Sequence, residues 1–211
     1  MIELTNLNFM NILHYPSIQI IEGKTTFITG PSGSGKSTLL KLINGMVDPL
    51  DGTILLKDGA IEDYNRIQRR RDYILCDQSV FLFELSVREN FHAFYRLRDN
   101  ALLSDTQMET FLSYACSSAH LDDRVTSMSG GERQRIYIAI CLSLARHAIM
   151  FDEPTSALDD TTADILLNNI KSYCNENQLT LIIVSHNSQL TEKYADDIVH
   201  ISNLKEGISH E

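Results

Sequence analysis

The sequence predicts an α/β fold: a mainly parallel sheet with a helical segment inserted into it. Three observations carry this. Apolar stretches of strand length alternate with helix-length stretches, the pattern of parallel strands joined by helical crossovers. The section 79–128 shows helical spacing and no clear strand, which marks it as the insertion. With 43% apolar residues in 211, the chain can bury one substantial core, and its length suits a single domain.

The elements follow in chain order. "IELTNLNF" and "SIQII" are strands, a Glu22–Gly23 turn follows, and "TTFIT" is the next strand. A helix is expected from about Ser37 to Asn44, with Gly45 as its stop. "DPLDGT" is a turn cluster leading into the strand "TILLKDG", and "DYILCDQ" is a buried strand with a polar end. "VRENFHAFYRLR" and "DTQMETFLSYACSSA" repeat apolar residues at helical spacing, the second capped by Ser104 or Asp105. "SGGERQRIYIAICLSLA" opens on small polar residues and continues as a long apolar helix. "AIMF" is a buried strand, "DEPTSALD" leads into a helix ending near Glu176, "LTLIIVS" is a strand followed by His186, and "DDIVHIS" is the last strand.

Bulk properties exclude several functions. The net charge of −10 offers no basic footprint for sequence-independent nucleic-acid binding. The one basic knot, Arg66, Arg69, Arg70 and Arg71, is expected on a solvated turn or helix face. Cys76, Cys116, Cys141 and Cys174 form no C-x-x-C pair and are expected as reduced core thiols. Glu3 and Asn6 interrupt the start too soon for a signal peptide. The longest uncharged apolar run, Ile136 to Ala145, is shorter than the roughly 18 residues a membrane span needs.

Between the strand "TTFIT" and the first helix lies "GPSGSGKST", residues Gly30, Pro31, Ser32, Gly33, Ser34, Gly35, Lys36, Ser37 and Thr38. Its Gly30, Gly35, Lys36 and Ser37 fit G-x-x-x-x-G-K-[ST]. Glycines let the backbone curl so that successive N–H groups face phosphate oxygens, and the following helix adds its partial positive charge. Lys36 then reaches the β- and γ-phosphates, and the Ser37 hydroxyl ligates Mg²⁺. Asp152 and Glu153 end the buried strand "AIMF". An aspartate there can hold Mg²⁺ opposite Ser37, and the adjacent glutamate can act as a general base on water.

"SMSGGERQR", residues 127–135, resembles the signature loop of ATP-binding cassette (ABC) ATPases, usually written LSGGQ. Gly30–Thr38, Gln78 after a strand, Asp152–Glu153, "SALD" at 156–159 and His186 agree with that family in order and spacing, across essentially the whole chain. The resemblance implies a P-loop NTPase with a small antiparallel β subdomain beside the parallel core. Residues 1–78 and 136–211 would form the core lobes, and about 79–135 the helical subdomain with the signature. It implies ATP and Mg²⁺ as ligands, Gln78 near Mg²⁺ or the attacking water, and His186 on the γ-phosphate. Ser129, Gly130 and Gly131 would grip ATP held by a second copy, and Asp159 would cross the same interface. The implied assembly is a head-to-tail homodimer formed on ATP binding. It would hydrolyse ATP to drive a separate transmembrane permease, from the cytoplasmic, inner face of the membrane, with no nucleic acid. The compact insertion resembles standalone cassettes of small exporters. A non-transport cassette acting on nucleic acid or the ribosome is the alternative, disfavoured by the charge and the single motif set.

The chain also departs from the family. Met128 and Glu132 replace the usual leucine and glutamine of the signature, and "LDDRVTSM" stands where larger exporters carry a glutamate-containing loop. The N-terminal stretch that often bears an adenine-stacking aromatic is shortened, leaving Phe9 and Tyr15 as candidates, each expected first as core or surface filler. "SVFLFELSVRENF" is similar to the stretch where cassettes meet a membrane partner. Its Phe81, Leu82 and Phe83 would be a docking patch if exposed, or core if buried.

Overall fold

The structure, a computed structural model, describes residues 1–57 and 59–202. Its centre is a five-stranded parallel sheet ordered β10 (Asp197–His200), β4 (Thr25–Thr29), β9 (Thr180–Val184), β8 (Ala148–Asp152), β7 (Tyr73–Cys76). β8 and β9 are buried along their whole length because both faces are covered, which is why they read as unbroken apolar runs. Alternation still sorts their side chains. Phe27, Ile149, Phe151, Leu181 and Ile183 enter one core with the helices α3 (Val87–Arg96), α4 (Asp105–Tyr114), α5 (Gly130–Ser143) and α6 (Asp160–Glu176). Ile28, Ala148, Met150, Ile182 and Val184 enter the other core, with α1 (Lys36–Asn44) and the N-terminal strands.

Those strands form a separate antiparallel sheet. β1 (Ile2–Phe9) pairs with β2 (Leu13–Tyr15), β3 (Ile18–Ile20) and β5 (Asp51–Leu56), and β5 pairs with β6 (Gly59–Ala60). β2 and the short helix α7 (Ser188–Tyr194) had no sequence expectation. Both are brief, and neither shows enough periods to stand out. The expected helix 105–119 stops at Tyr114, and Cys116 turns left-handed at φ 54°. The lobe boundary expected at 135–136 falls inside the unbroken α5.

The arginine knot lies on a helix face with Arg66 and Arg70 exposed, as expected, and departs from expectation at Arg69. α2 (Arg66–Asp72) carries it, but Arg69 is buried, at 3% exposed. Its Nε donates to Ile43 O at 2.8 Å, its Nη2 donates to Leu42 O, and Arg70 Nη2 donates to Gly45 O at 2.9 Å. These are the last carbonyls of α1 and its stop, which a cation satisfies and whose partial negative charge it offsets. Among the described residues, all four cysteines are free, and no helix is long and apolar enough to cross a membrane. The run 81–83 divides: Phe81 is 59% exposed, Leu82 is buried, and Phe83 stands between them in exposure. Rings continue from Phe81 through Phe83 and Phe94 to Tyr137, at centroid spacings of 5.1, 5.9 and 6.2 Å.

Candidate functional site

Four strands deliver the candidate residues to one edge. β4 runs into Gly30–Lys36, β7 into Asp77–Gln78, β8 ends on Asp152, and β9 is followed by Ser185–His186. All are carboxyl ends of parallel strands, where open α/β sheets bind ligands.

The loop 30–35 is shaped by its own surroundings. At Gly30, φ is 144° and a Cβ would lie 2.1 Å from Ile201 O. At Gly35, φ is 96° and a Cβ would lie 2.6 Å from the Tyr15 hydroxyl and 2.9 Å from Leu13. Tyr15 donates that hydroxyl to Gly35 O at 2.8 Å, which holds the loop at the helix start. Tyr15 is therefore a buried support, not a surface for a base. Phe9 lies across the hairpin from Leu13, itself against Gly35. Lys36 is buried, with Nζ donating to Gly30 O at 2.9 Å and Pro31 O at 2.8 Å. Burial lowers its pKa, against the pull of Glu153 and Asp152. Ser34 Oγ is buried without a partner, whereas Pro31, Ser32 and Gly33 are exposed at the tip.

The start of α1 is distinctive. Each of the other six α-helices has a side-chain cap, from Asn65, Ser86, Ser104, Ser129, Asp159 or Asn187. Among the described residues, α1 alone has none, and no acidic residue in its first turn. Its orphan N–H groups and positive dipole end thus face the glycine loop.

Asp152 faces this loop. Burial raises its pKa, and the neighbouring Asp77 and Glu153 push the same way; a hydrogen bond from Ser37 pulls it down. Its Oδ1 is buried and unpartnered. A hydroxyl and an orphaned carboxylate oxygen are hard donors that fit Mg²⁺. Lys41 pairs with Asp77 at 3.1 Å.

Glu153 is left-handed at φ 53°, a conformation disfavoured for a side chain with Cβ, and its N–H donates to Val184 O at 3.1 Å. That turn carries its carboxylate between two partners. His186 Nε2 lies 3.0 Å from Oε1, and Gln78 Nε2 lies 3.5 Å from Oε2. Gln78, Glu153 and His186, far apart in sequence, therefore meet. Gln78 turns its amide nitrogen to Glu153. His186 also lines a cleft of about 480 Å³, with Thr29, Gly30, Pro31, Ser185 and His200 among others.

The third group stands apart. Ser129 caps α5 in a reciprocal box: its Oγ accepts from Glu132 N at 3.3 Å, and Glu132 Oε2 accepts from Ser129 N at 2.9 Å. Hydrogen bonds from Ser129 lower the pKa of Glu132. The S-x-x-E spacing at 129–132 is the sequence signal for this box. Asp159 caps α6 through Thr162 N at 3.0 Å and Thr162 Oγ1 at 2.7 Å. Gly130 lines a smaller cleft, about 360 Å³, with Gln78, Val80, Arg133, Gln134 and Ser156. Among the described residues, no hydrogen bond joins Ser129–Gly131 to Gly30–Thr38.

The chain is similar to known proteins. Residues 13–156 match the family described as "ABC transporter". A "Putative ABC transporter ATP-binding protein YjkB" of Bacillus subtilis (strain 168) is 35% identical over 180 residues, 85% of this chain and 71% of that protein. A "Thiamine import ATP-binding protein ThiQ" of Vibrio cholerae serotype O1 is 30% identical over 191 residues, 89% of this chain and 79% of that protein. The solved dimeric structure of MJ0796, a bacterial ABC transporter cassette, superposes with a TM-score of 0.85 at 26% identity, covering 96% of this chain and 95% of that one. A post-hydrolysis dimer of the same cassette, bound to ADP and Pi, gives 0.84 at 25% identity, again covering 96% and 95%.

Proposed function

This chain belongs to the ABC transporter family, and on that premise we propose that two copies close head to tail over two ATP molecules to power a membrane permease. Each copy holds one nucleotide on its own phosphate loop and caps the other's with Ser129–Gly131. The permease is a separate polypeptide, and the cassette works from the cytoplasmic face of the membrane, without nucleic acid. The observation that carries this reading is the uncapped start of α1 behind Gly30–Gly35, beside the orphaned Oδ1 of Asp152.

The division of labour follows from position and charge. The N–H groups at the start of α1 and the Lys36 ammonium hold the β- and γ-phosphates. Ser37 and Asp152 hold Mg²⁺, which when bound neutralises charge on the phosphate oxygens. Glu153 accepts a proton from the attacking water at a carboxylate oxygen, while His186 and Gln78 fix the orientation of that carboxylate. His186 then shares the γ-phosphate. Phe9 is the remaining aromatic for the adenine, since Tyr15 is committed to Gly35. Phe81, exposed beside Gln78, is where the permease docks.

Glu153→Gln tests the chemistry. It keeps the size of the side chain but exchanges one acceptor oxygen for an NH2 donor and cannot take the proton. ATP binding should persist while hydrolysis falls by roughly 10²–10⁴. A variant that hydrolyses ATP at the wild-type rate would remove Glu153 from the role of base.

A further inference from the structure

Asn90, in the first turn of α3, is completely buried, yet its side chain serves the loop before its own helix. Its Oδ1 accepts from Phe83 N at 2.8 Å; its Nδ2 donates to Phe83 O at 3.1 Å and Ser86 O at 2.9 Å. Three of the amide's four hydrogen-bonding positions are thus closed on residues 83–86.

The loop so folded lies antiparallel against the segment that leads to the signature. Val125 N donates to Leu85 O at 3.2 Å, Val87 N to Asp123 O at 2.9 Å, and Arg88 N to Leu121 O at 2.8 Å. Ser86 and Arg124 pair across this short ladder, and Arg124 Nη2 donates to Glu84 O at 3.1 Å. Arg88 also bonds Asp105 and, at 3.1 Å, Asp122. A single 3-10 turn, Val125–Ser127, then separates the ladder from Ser129. The segment that leads to the signature is therefore tied to residues 84–88, and the buried Asn90 amide is one of the groups that fold 83–86 into place.

We propose that Asn90 is a positioning residue for ATP hydrolysis: by pinning loop 83–86 it sets where Ser129–Gly131 stands against the partner copy's nucleotide. The inference rests on the reading of Ser129–Gly131 as a cap acting in the dimer. Asn90 is remote in sequence from every phosphate-holding residue, and among the described residues its side chain bonds only Phe83 and Ser86. Its loss should therefore spare nucleotide binding and impair turnover.

Full-length Asn90→Ala tests this, with kcat expressed per site that binds a fluorescent nonhydrolysable ATP analogue. Affinity should stay within about twofold of wild type. kcat per site should fall by about tenfold or more, since small misplacements of this kind are costly in rate. Adding Ser86→Cys and Arg124→Cys should then allow rescue. Each thiol loses its proton and electron to the azo oxidant diamide, which becomes the hydrazine as the disulfide closes the ladder. kcat should recover on oxidation and fall again with dithiothreitol. An unchanged kcat per site, or a disulfide that forms without recovery, overturns the proposal. If Asn90→Ala does not fold, Asn90→Ser carries the same comparison. A wild-type chain without ATPase activity would sink the underlying reading instead, and the wild-type control reports that separately.

Discussion

Two helix starts in this protein carry glycines, and they are built on opposite principles. At α1 the glycines are required from inside. Gly30 and Gly35 have positive φ, and added side chains would strike Ile201 O and the Tyr15 hydroxyl. The helix end itself is left uncapped. At α5 the end is already satisfied by Ser129 and Glu132, and Gly130 has nothing within 4 Å of where a Cβ would stand. No described residue asks for glycine there. Gly30 and Gly35 are thus demanded by the fold around them, whereas the open space at Gly130 fits the proposed approach of a partner copy's nucleotide. Two dimeric cassette structures are similar to this chain over nearly its whole length, in keeping with that reading.

The contrast can be broken at either end. Gly35→Ala should have the largest effect, because φ of 96° and the 2.6 Å approach to Tyr15 act together. We expect nucleotide affinity to fall by about 100-fold, as for strain of a few kcal/mol at a binding loop. Titration with a fluorescent ATP analogue measures it, and Tyr15→Phe in the same chain should return only part, since φ stays strained. Gly130→Ala should be milder and different in kind. Thermal stability and nucleotide affinity should match wild type, because the space is open, while ATP turnover drops by about tenfold through loss of close backbone approach. If Gly130→Ala turns over normally, nothing needs to come close at that face. The smallest effect on turnover belongs to Arg69→Met, which leaves the Leu42 and Ile43 carbonyls without this donor. It should cost about 1–3 kcal/mol of stability by urea unfolding, with the ATP KM unchanged.

Much of the phosphate site was legible because its logic is local. A strand, a glycine loop, Lys36 and a helix are adjacent in sequence, and the hydrogen bonds of a helix start depend on neighbours a few residues away. The buried strands that run toward Gln78, end on Asp152 and stop before His186 were legible for the same reason, since a run of apolar residues announces a strand covered on both faces. What escaped was non-local. Arg69 sits in what reads as a solvated basic knot, and only the approach of α2 to the end of α1 gives its charge a buried use. Tyr15 has no local mark of a role, because Gly35 lies twenty residues on. Asn90 is an ordinary polar residue on an amphipathic helix until the chain returns at 121–125 to make its loop half of a ladder.

By itself the sequence determined the kind of sheet, the phosphate loop, the order of the motifs and the family they resemble, because backbone propensity and side-chain periodicity act over a few residues. The tertiary structure alone decided that Glu153 would meet His186 and Gln78, that α1 would be the one α-helix without a side-chain cap among those described, and that the buried Asn90 amide would close on residues 83–86. Those are meetings of segments distant along the chain, and no local preference encodes the distance at which they come to rest.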